Sequence, residues 1–277
     1  ASLLVKKMPP MMCTSHGGDI LGLNGGPLNR LKRWTIRRTQ MLTIVSHAMR
    51  DQALALGIAP EALAVIPMGV DTETMFAPRP DVRRTELALL FVGRLVEKKG
   101  AAYLLVALPM ILARYPEVRL DIVGSGAEES SLRDLVENLG IGHAVHFHGA
   151  LDNAAIPAFC LRASMLIMPS LTTVQGDQEG LGLVLVEALA CECPVIASSL
   201  PAIRDVVIHQ RTGWLVPERN AIAIADAVIK LLGNPGLRRN LAVEGRSHVK
   251  ANFDWIGVAA RYGALIQALS QSPAYHE

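Results

Sequence analysis

From residue 88 onward the chain alternates short β-rich runs with helix-length amphipathic stretches, and nothing else in the sequence constrains its fold as strongly. ALLFVG (88–93) reads as a buried strand that stops at Gly93, with a helix over roughly 99–114 behind it. VRLDIVG (118–124) and AVHFHG (144–149) are further strands, each followed by a helix, near 127–139 and 152–162. MLIMPS (165–170), PVIAS (194–198) and GWLVP (213–217) complete the series, with a helix near 182–191 between the first two. Strand–helix–strand order folds as a parallel sheet covered on both faces by its crossover helices. Each crossover turns right-handed. The expected class is α/β, with a Rossmann-like parallel sheet.

The first eighty residues show less of the same alternation. MMCTS (11–15), MLTIVS (41–46) and ALAVIPMG (62–69) read as strands with helices between them. A βαβ unit takes about 30 residues, and a complete doubly wound domain has about five or six strands. This part therefore reads as half a domain. The polar segment 68–86 fits a linker. The tail reads as helical from Asn234 to about Ser270.

Bulk properties exclude several classes. Lys plus Arg number 27 against 25 Asp plus Glu, where a nucleic-acid binder shows a stronger basic bias. Only 4% of residues are aromatic, which argues against base-stacking platforms. No apolar run is long enough to cross a bilayer, and no charged-then-apolar leader is visible, so a cytoplasmic location is expected. The four cysteines, Cys13, Cys160, Cys191 and Cys193, are too few for a disulfide framework. No Cys or His cluster joins the Cys191–Cys193 pair to make a zinc site, so no metal and reduced thiols are expected.

In an open parallel sheet, ligands bind beyond the carboxyl ends of the strands. Three polar segments fall there. GRLVEKKG (93–100) places Arg94 and Lys99 near a helix N-terminus, where free amides already favour an anion. GSG (124–126) lets the backbone approach a ligand, or makes only a tight turn. EGLGLVLVE (179–187) puts one glutamate in a glycine loop and the other inside the helix that follows. Glu187 is flanked by Val184, Leu185, Val186, Ala188 and Leu189. A carboxylate in such surroundings needs donors, and vicinal sugar hydroxyls would serve; otherwise it faces solvent. His16, in TSHGGDI (14–20), follows the first strand and could donate into a cleft, although a lone histidine also serves structure.

Together these segments resemble the retaining glycosyltransferases of family 4, with the GT-B fold. EGLGLVLVEALACECPVIAS (179–198) is similar to the family's paired-glutamate signature, with its helix and following strand. VGRLVEKKG (92–100), IVGSG (122–126), VHFHG (145–149), TGWLVP (212–217), IPMGVD (66–71) and TSHGGD (14–19) are also family-like, in the same order. The resemblance implies transfer of a hexose from a nucleoside-diphosphate sugar to a saccharide, lipid-linked or small-molecule acceptor, as in polysaccharide biosynthesis. A UDP-sugar is the favoured co-substrate. It implies that Arg94 and Lys99, with amides at Leu181, Gly182 and Leu183, hold the donor diphosphate. Gly93, Gly124, Gly126, His148 and Glu187 would bind the nucleotide, Glu187 through the ribose. Glu179 and His16 would act at the reacting sugar, and Asp71 would mark the hinge.

The implied domains are 1–80, a partial acceptor-side unit; 81–253, the donor-binding unit; and 254–277, a helix packing back on the first. Three departures stand out. Glu192 replaces the glycine usual after the signature helix, at a cost of about 1 kcal/mol if it adopts the left-handed conformation. Pro201–Ala202 replaces a Gly-Gly pair, with Asp205 near the usual acidic position. The first half of the N-terminal domain is missing by the βαβ count, so the alternative is a nucleotide-binding fragment without activity. RLKRWTIRR (30–38) forms a basic strip beside Trp34 that suits either solvent or an anionic membrane surface. Exposed strand edges near a missing half would favour dimers. An NAD-dependent enzyme fails for want of a G-x-G-x-x-G after the first strand.

Overall fold

The computed structural model describes residues 11–17 and 26–271. The first unit contains β1 (Met12–Ser15), α1 (Gly26–Arg37), β2 (Met41–Ile44), α2 (Arg50–Ala55) and β3 (Leu63–Val65). Its strands pair in parallel, in the order β1-β2-β3. Ile36, Leu42, Ile44 and Met49 are buried at its centre. In α1, Arg38 just past the helix end lies 4.7 Å over the Trp34 ring.

The second unit runs β4 (Ala88–Val92), α3 (Ala101–Arg114), β5 (Arg119–Val123), α4 (Glu129–Asn138), β6 (Val145–Gly149), α5 (Ile156–Arg162), β7 (Met165–Met168), α6 (Leu183–Ala190), β8 (Val195–Ser198), α7 (Pro201–Arg204), β9 (Trp214–Val216) and α8 (Ala221–Leu232). Its six strands are all parallel, in the order β6-β5-β4-β7-β8-β9. Ranked by sequence this is the 3-2-1-4-5-6 order of a doubly wound sheet, whose direction of winding reverses between β4 and β7.

The two-residue period of the strands explains why both faces are covered. Leu89, Phe91, Leu120, Ile122, Met165 and Ile167 join the apolar layer under α3 and α8. Their alternates Leu90, Leu166, Met168 and Val195 join the layer under α5 and α6. Each fully buried residue of this kind contributes roughly 1.5–3 kcal/mol of burial. The second layer continues without a break into the core of the three-stranded unit.

The tail is helical. It forms α9 (Pro235–Phe253) and α10 (Trp255–Ser270), broken at Asp254, whose ψ is 136°. Residues ahead of the second unit cause the break. Val70 N–H donates to Phe253 O at 2.9 Å, and Trp255 N–H donates to Val70 O at 2.9 Å. The Asp254 carboxylate takes the Ile256 amide and the Thr72 hydroxyl, so it caps the new helix and pins it to residue 72. These donors hold its pKa below the ordinary carboxylate value. Helix α10 then passes the small sheet, with Tyr262 Oη 3.5 Å from Thr43 Oγ1. Asp71, in the segment between the two units, caps its own turn through Thr74 and the Glu73 amide. Among the described residues no helix is long and apolar enough to cross a membrane.

Glu192 does adopt the left-handed conformation, with φ 55°. Cys193 N–H donates to Ala188 O and Glu192 N–H to Leu189 O, the Schellman pattern that closes a helix. The glutamate therefore ends α6 as glycine would, and carries the strain.

Candidate active site

A cleft of about 570 Å³ opens at the carboxyl ends of β4 and β7, where the winding reverses. The loops after β4 and β5 form one wall. They fit closely because two glycines lack side chains. A Cβ on Gly124, where φ is 137°, would lie 1.9 Å from Gly93 O, and one on Gly126 would lie 2.3 Å from Leu95 O. Leu95 N–H donates to Ser125 O at 2.9 Å and closes the seam. Gly93 and Gly124 line the cleft, whereas Gly126 sits behind the seam and does not.

Arg94 lines the cleft with an exposed guanidinium that has no hydrogen-bond or ion-pair partner among the described residues. Lys99 lies in a short 3₁₀ turn, Glu97–Lys99, just ahead of α3. Gly100 lets this turn seat on β7, since a Cβ there would sit 2.0 Å from Pro169 O. Lys99 Nζ lies 2.8 Å from Glu179 Oε1. The contact is an ion pair without hydrogen-bond angles, so this buried oxygen accepts no hydrogen bond. Lys98 also lines the cleft and pairs with Asp177 at 3.0 Å. The sequence reading missed Lys98; its place beside Lys99 was the only available signal.

The opposite wall is the start of α6. Gly182 is its N-cap, with φ 82°, and the amides of Leu181, Gly182, Leu183 and Val184 meet no backbone acceptor. Four free donors and the positive end of the helix dipole thus border the cleft that two lysines and an arginine also line. One turn further in, Glu187 is buried, 7% exposed, and still borders the cleft. It does not face solvent. Burial alone pushes its pKa up to about 7, with no hydrogen bond or neighbouring cation to offset it. A ligand bringing hydroxyl donors would relieve that cost.

The small sheet closes the cleft. His16, at the end of β1, lines it with an exposed side chain. The glutamate loop touches the same segment, and a Cβ on Gly180 would lie 2.5 Å from His16 O. Gly18, Asp19 and Ile20 of that motif lie outside the described residues. A second contact joins the units where the His47 amide donates to Asp205 Oδ2 at 2.6 Å.

His148 is the misplaced residue. Strand β6 lies at the sheet edge, and its period turns His148 away from the cleft, where its Nε2 meets Asp121 Oδ1 at 2.6 Å. Its ring stacks edge-on against Phe159 in a separate hollow. The loop just beyond, Ala150, Leu151 and Asn153, lines the cleft instead. The strand end was legible; which of its residues turns inward was not.

Comparison with known proteins agrees with this architecture. The family model "Glycosyl transferases group 1" matches residues 76–248, and "Glycosyltransferase Family 4" matches residues 1–74. A GDP-mannose-dependent alpha-(1-6)-phosphatidylinositol monomannoside mannosyltransferase of Mycolicibacterium smegmatis is 32% identical over 92% of this chain and 69% of its own length. A glycogen synthase of Mycobacterium tuberculosis is 30% identical over 88% of this chain and 58% of its own. Sucrose-phosphate synthase from Thermosynechococcus elongatus superposes with a TM-score of 0.79 at 27% identity, over 93% of this chain and 67% of that one. Anabaena HepE, solved in complex with UDP, shares the fold, with a TM-score of 0.81 at 20% identity over 94% of this chain and 72% of that one. With its doubly wound sheet, its three-stranded partner and the cleft between them, the chain belongs to the group 1 glycosyl transferases, as a family 4 glycosyltransferase of GT-B fold whose chemistry is sugar transfer.

Proposed function

We propose that this chain transfers a hexose from a nucleoside-diphosphate sugar, with retention of configuration, in the cleft between its two sheets. The observation that carries this reading is Glu187. It is a buried carboxylate without a donor of its own, set one helical turn behind four free amides in a cleft that an unpaired arginine also lines. A ribose diphosphate supplies hydroxyls for the first and phosphate oxygens for the others.

The chemistry follows from charge. Breaking the sugar–phosphate bond builds negative charge on the leaving diphosphate. Lys99, held by Glu179, and the α6 amides are fixed before that charge appears, so they stabilise it with little reorganisation, and Arg94 adds its charge from the cleft wall. Glu179, buried beside Lys99, orients sugar hydroxyls and faces the positive charge that develops on the ring. Same-face attack by the acceptor then retains configuration. His16, on the far wall, is placed to touch the sugar. The loop Ala150–Asn153 would meet the base. Mannosyltransferases similar to this chain are GDP-mannose-dependent, whereas the solved HepE binds UDP, so the base is an experimental readout. The domain assignment belongs to the same proposal: the three-stranded unit presents the acceptor and the six-stranded unit the donor.

Calorimetric titration of UDP, GDP and ADP tests the donor site, with Glu187→Ala as control. Binding of one nucleotide, lost in the variant, is the expected result. Equal binding by the variant refutes the assignment. The anomeric configuration of the product, read by NMR, tests retention.

A further inference from the structure

A second hollow, of about 480 Å³, lies at the opposite end of the six-stranded sheet, beside residues that precede β4, β7 and β8. Arg83, Arg84, Arg238 and Arg239 surround it, with Glu86 and Glu192 as its acids. Four cations against two carboxylates leave an excess of two, equal to the formal excess of the whole chain. The hollow is thus a concave place of net positive charge.

The neutralisation is incomplete in detail as well. Arg84 spends its donors on carbonyls, at 2.8 Å from Cys160 O, 2.9 Å from Ala163 O and 2.6 Å from Cys191 O, so no carboxylate balances its charge. Arg238 is only 8% exposed, and its one acid partner, Glu86, has a side chain that is 73% exposed. Glu192 leans toward Arg246, outside the hollow, at 3.9 Å. Arg83 and Arg239 are exposed and meet no acceptor among the described residues. Pro235, the first residue of α9, also borders the hollow, so the positive end of that helix dipole adds to the field.

We propose that this hollow is a binding site for a phosphate dianion, free or as a small monoester, distinct from the sugar-transfer cleft. Guanidinium forks match phosphate oxygens pairwise, and the volume suits one small ligand better than an extended polymer. Arg84 and Arg238 are the fixed floor, held by their protein partners. Arg83 and Arg239 are the free arms that close on the ligand.

The test uses the full chain carrying Arg94→Ala, which weakens phosphate binding in the cleft, and compares it with the same protein carrying Arg83→Gln and Arg239→Gln. Both added substitutions are at exposed positions and leave the floor intact. Inorganic phosphate is titrated calorimetrically into each. The expected result is saturable binding below about 10 mM in the first protein, weakened at least about tenfold in the second. A parallel titration with glycerol 3-phosphate separates the sources: tighter binding of the ester assigns a monoester, and equal or weaker binding assigns free phosphate. No saturation in the first protein, or identical isotherms in the two, overturns the proposal.

Discussion

Replacing Glu187 by glutamine separates the stability of this fold from its chemistry. The glutamate is buried, and burial alone raises its pKa from 4.5 to about 7. Folding therefore favours its protonated form. Its contribution to stability is fully present below the unfolded value and is lost as the pH rises through the folded one. Between pH 5 and pH 8 the wild-type chain should lose about 2 to 3 kcal/mol from this one group, at 1.36 kcal/mol per pH unit of separation. Glutamine has the same shape and no charge to bury. Urea unfolding of both proteins at pH 5 and pH 8 measures the effect, and the difference between them cancels the other titrating groups. The variant should gain about 2 to 3 kcal/mol on the wild type over that interval. It should also lose nucleotide affinity at pH 8, because the ionised carboxylate is the better acceptor for ribose hydroxyls. In the wild type, nucleotide affinity should rise through pH 7 as the carboxylate ionises. Parallel stability curves, or a wild type that gains on the variant as pH rises, would show that Glu187 is solvated or paired, and the ribose argument would fall with it.

Three further predictions probe other parts of the argument. Glu179→Gln releases Lys99 from its 2.8 Å ion pair. The bare nucleoside diphosphate should then bind about fivefold tighter, from roughly 1 kcal/mol of freed attraction, while kcat falls; weaker diphosphate binding by calorimetry would contradict the placement of Lys99. Gly124→Ala drives a Cβ to 1.9 Å from Gly93 O at a φ of 137°, and should destabilise by more than about 3 kcal/mol in denaturant melts. A wild-type midpoint would mean that the two loops are not seamed as described. Glu192→Gly removes left-handed strain at φ 55° and should raise stability by about 1 kcal/mol, seen as a higher unfolding midpoint with unchanged slope.

What was legible in the sequence was whatever a local pattern can carry. The β4 and β7 runs are apolar on both faces because both faces are covered, so their place in a parallel sheet showed directly. The glutamate signature was legible for a related reason. A carboxylate at 187 between Val186 and Ala188 conflicts with its surroundings, and such conflict marks function more reliably than a polar loop does. Glu192 was flagged differently, as a departure from the glycine usual in the resembling family, and the structure accepts it: the left-handed turn forms and the helix closes on it.

What stayed hidden depended on partners distant in sequence. The boundary at 254 came only from the family resemblance, because the break itself is made by Val70 and Thr72, which bond to both sides of Asp254. His148 and Ala150 are two residues apart, yet the strand period turns the first to the face away from the cleft while the loop carrying the second turns in. Arg84 reads as linker charge until three carbonyls from the ends of α5 and α6 converge on it. Two of those ends matter together. The carbonyl at Cys191 closes the helix whose other end offers its free amides to the cleft. A guanidinium in the linker thus stabilises the negative end of the same dipole whose positive end faces the cleft. The segment joining the two sheets thereby helps to hold in place the helix proposed to bind the diphosphate.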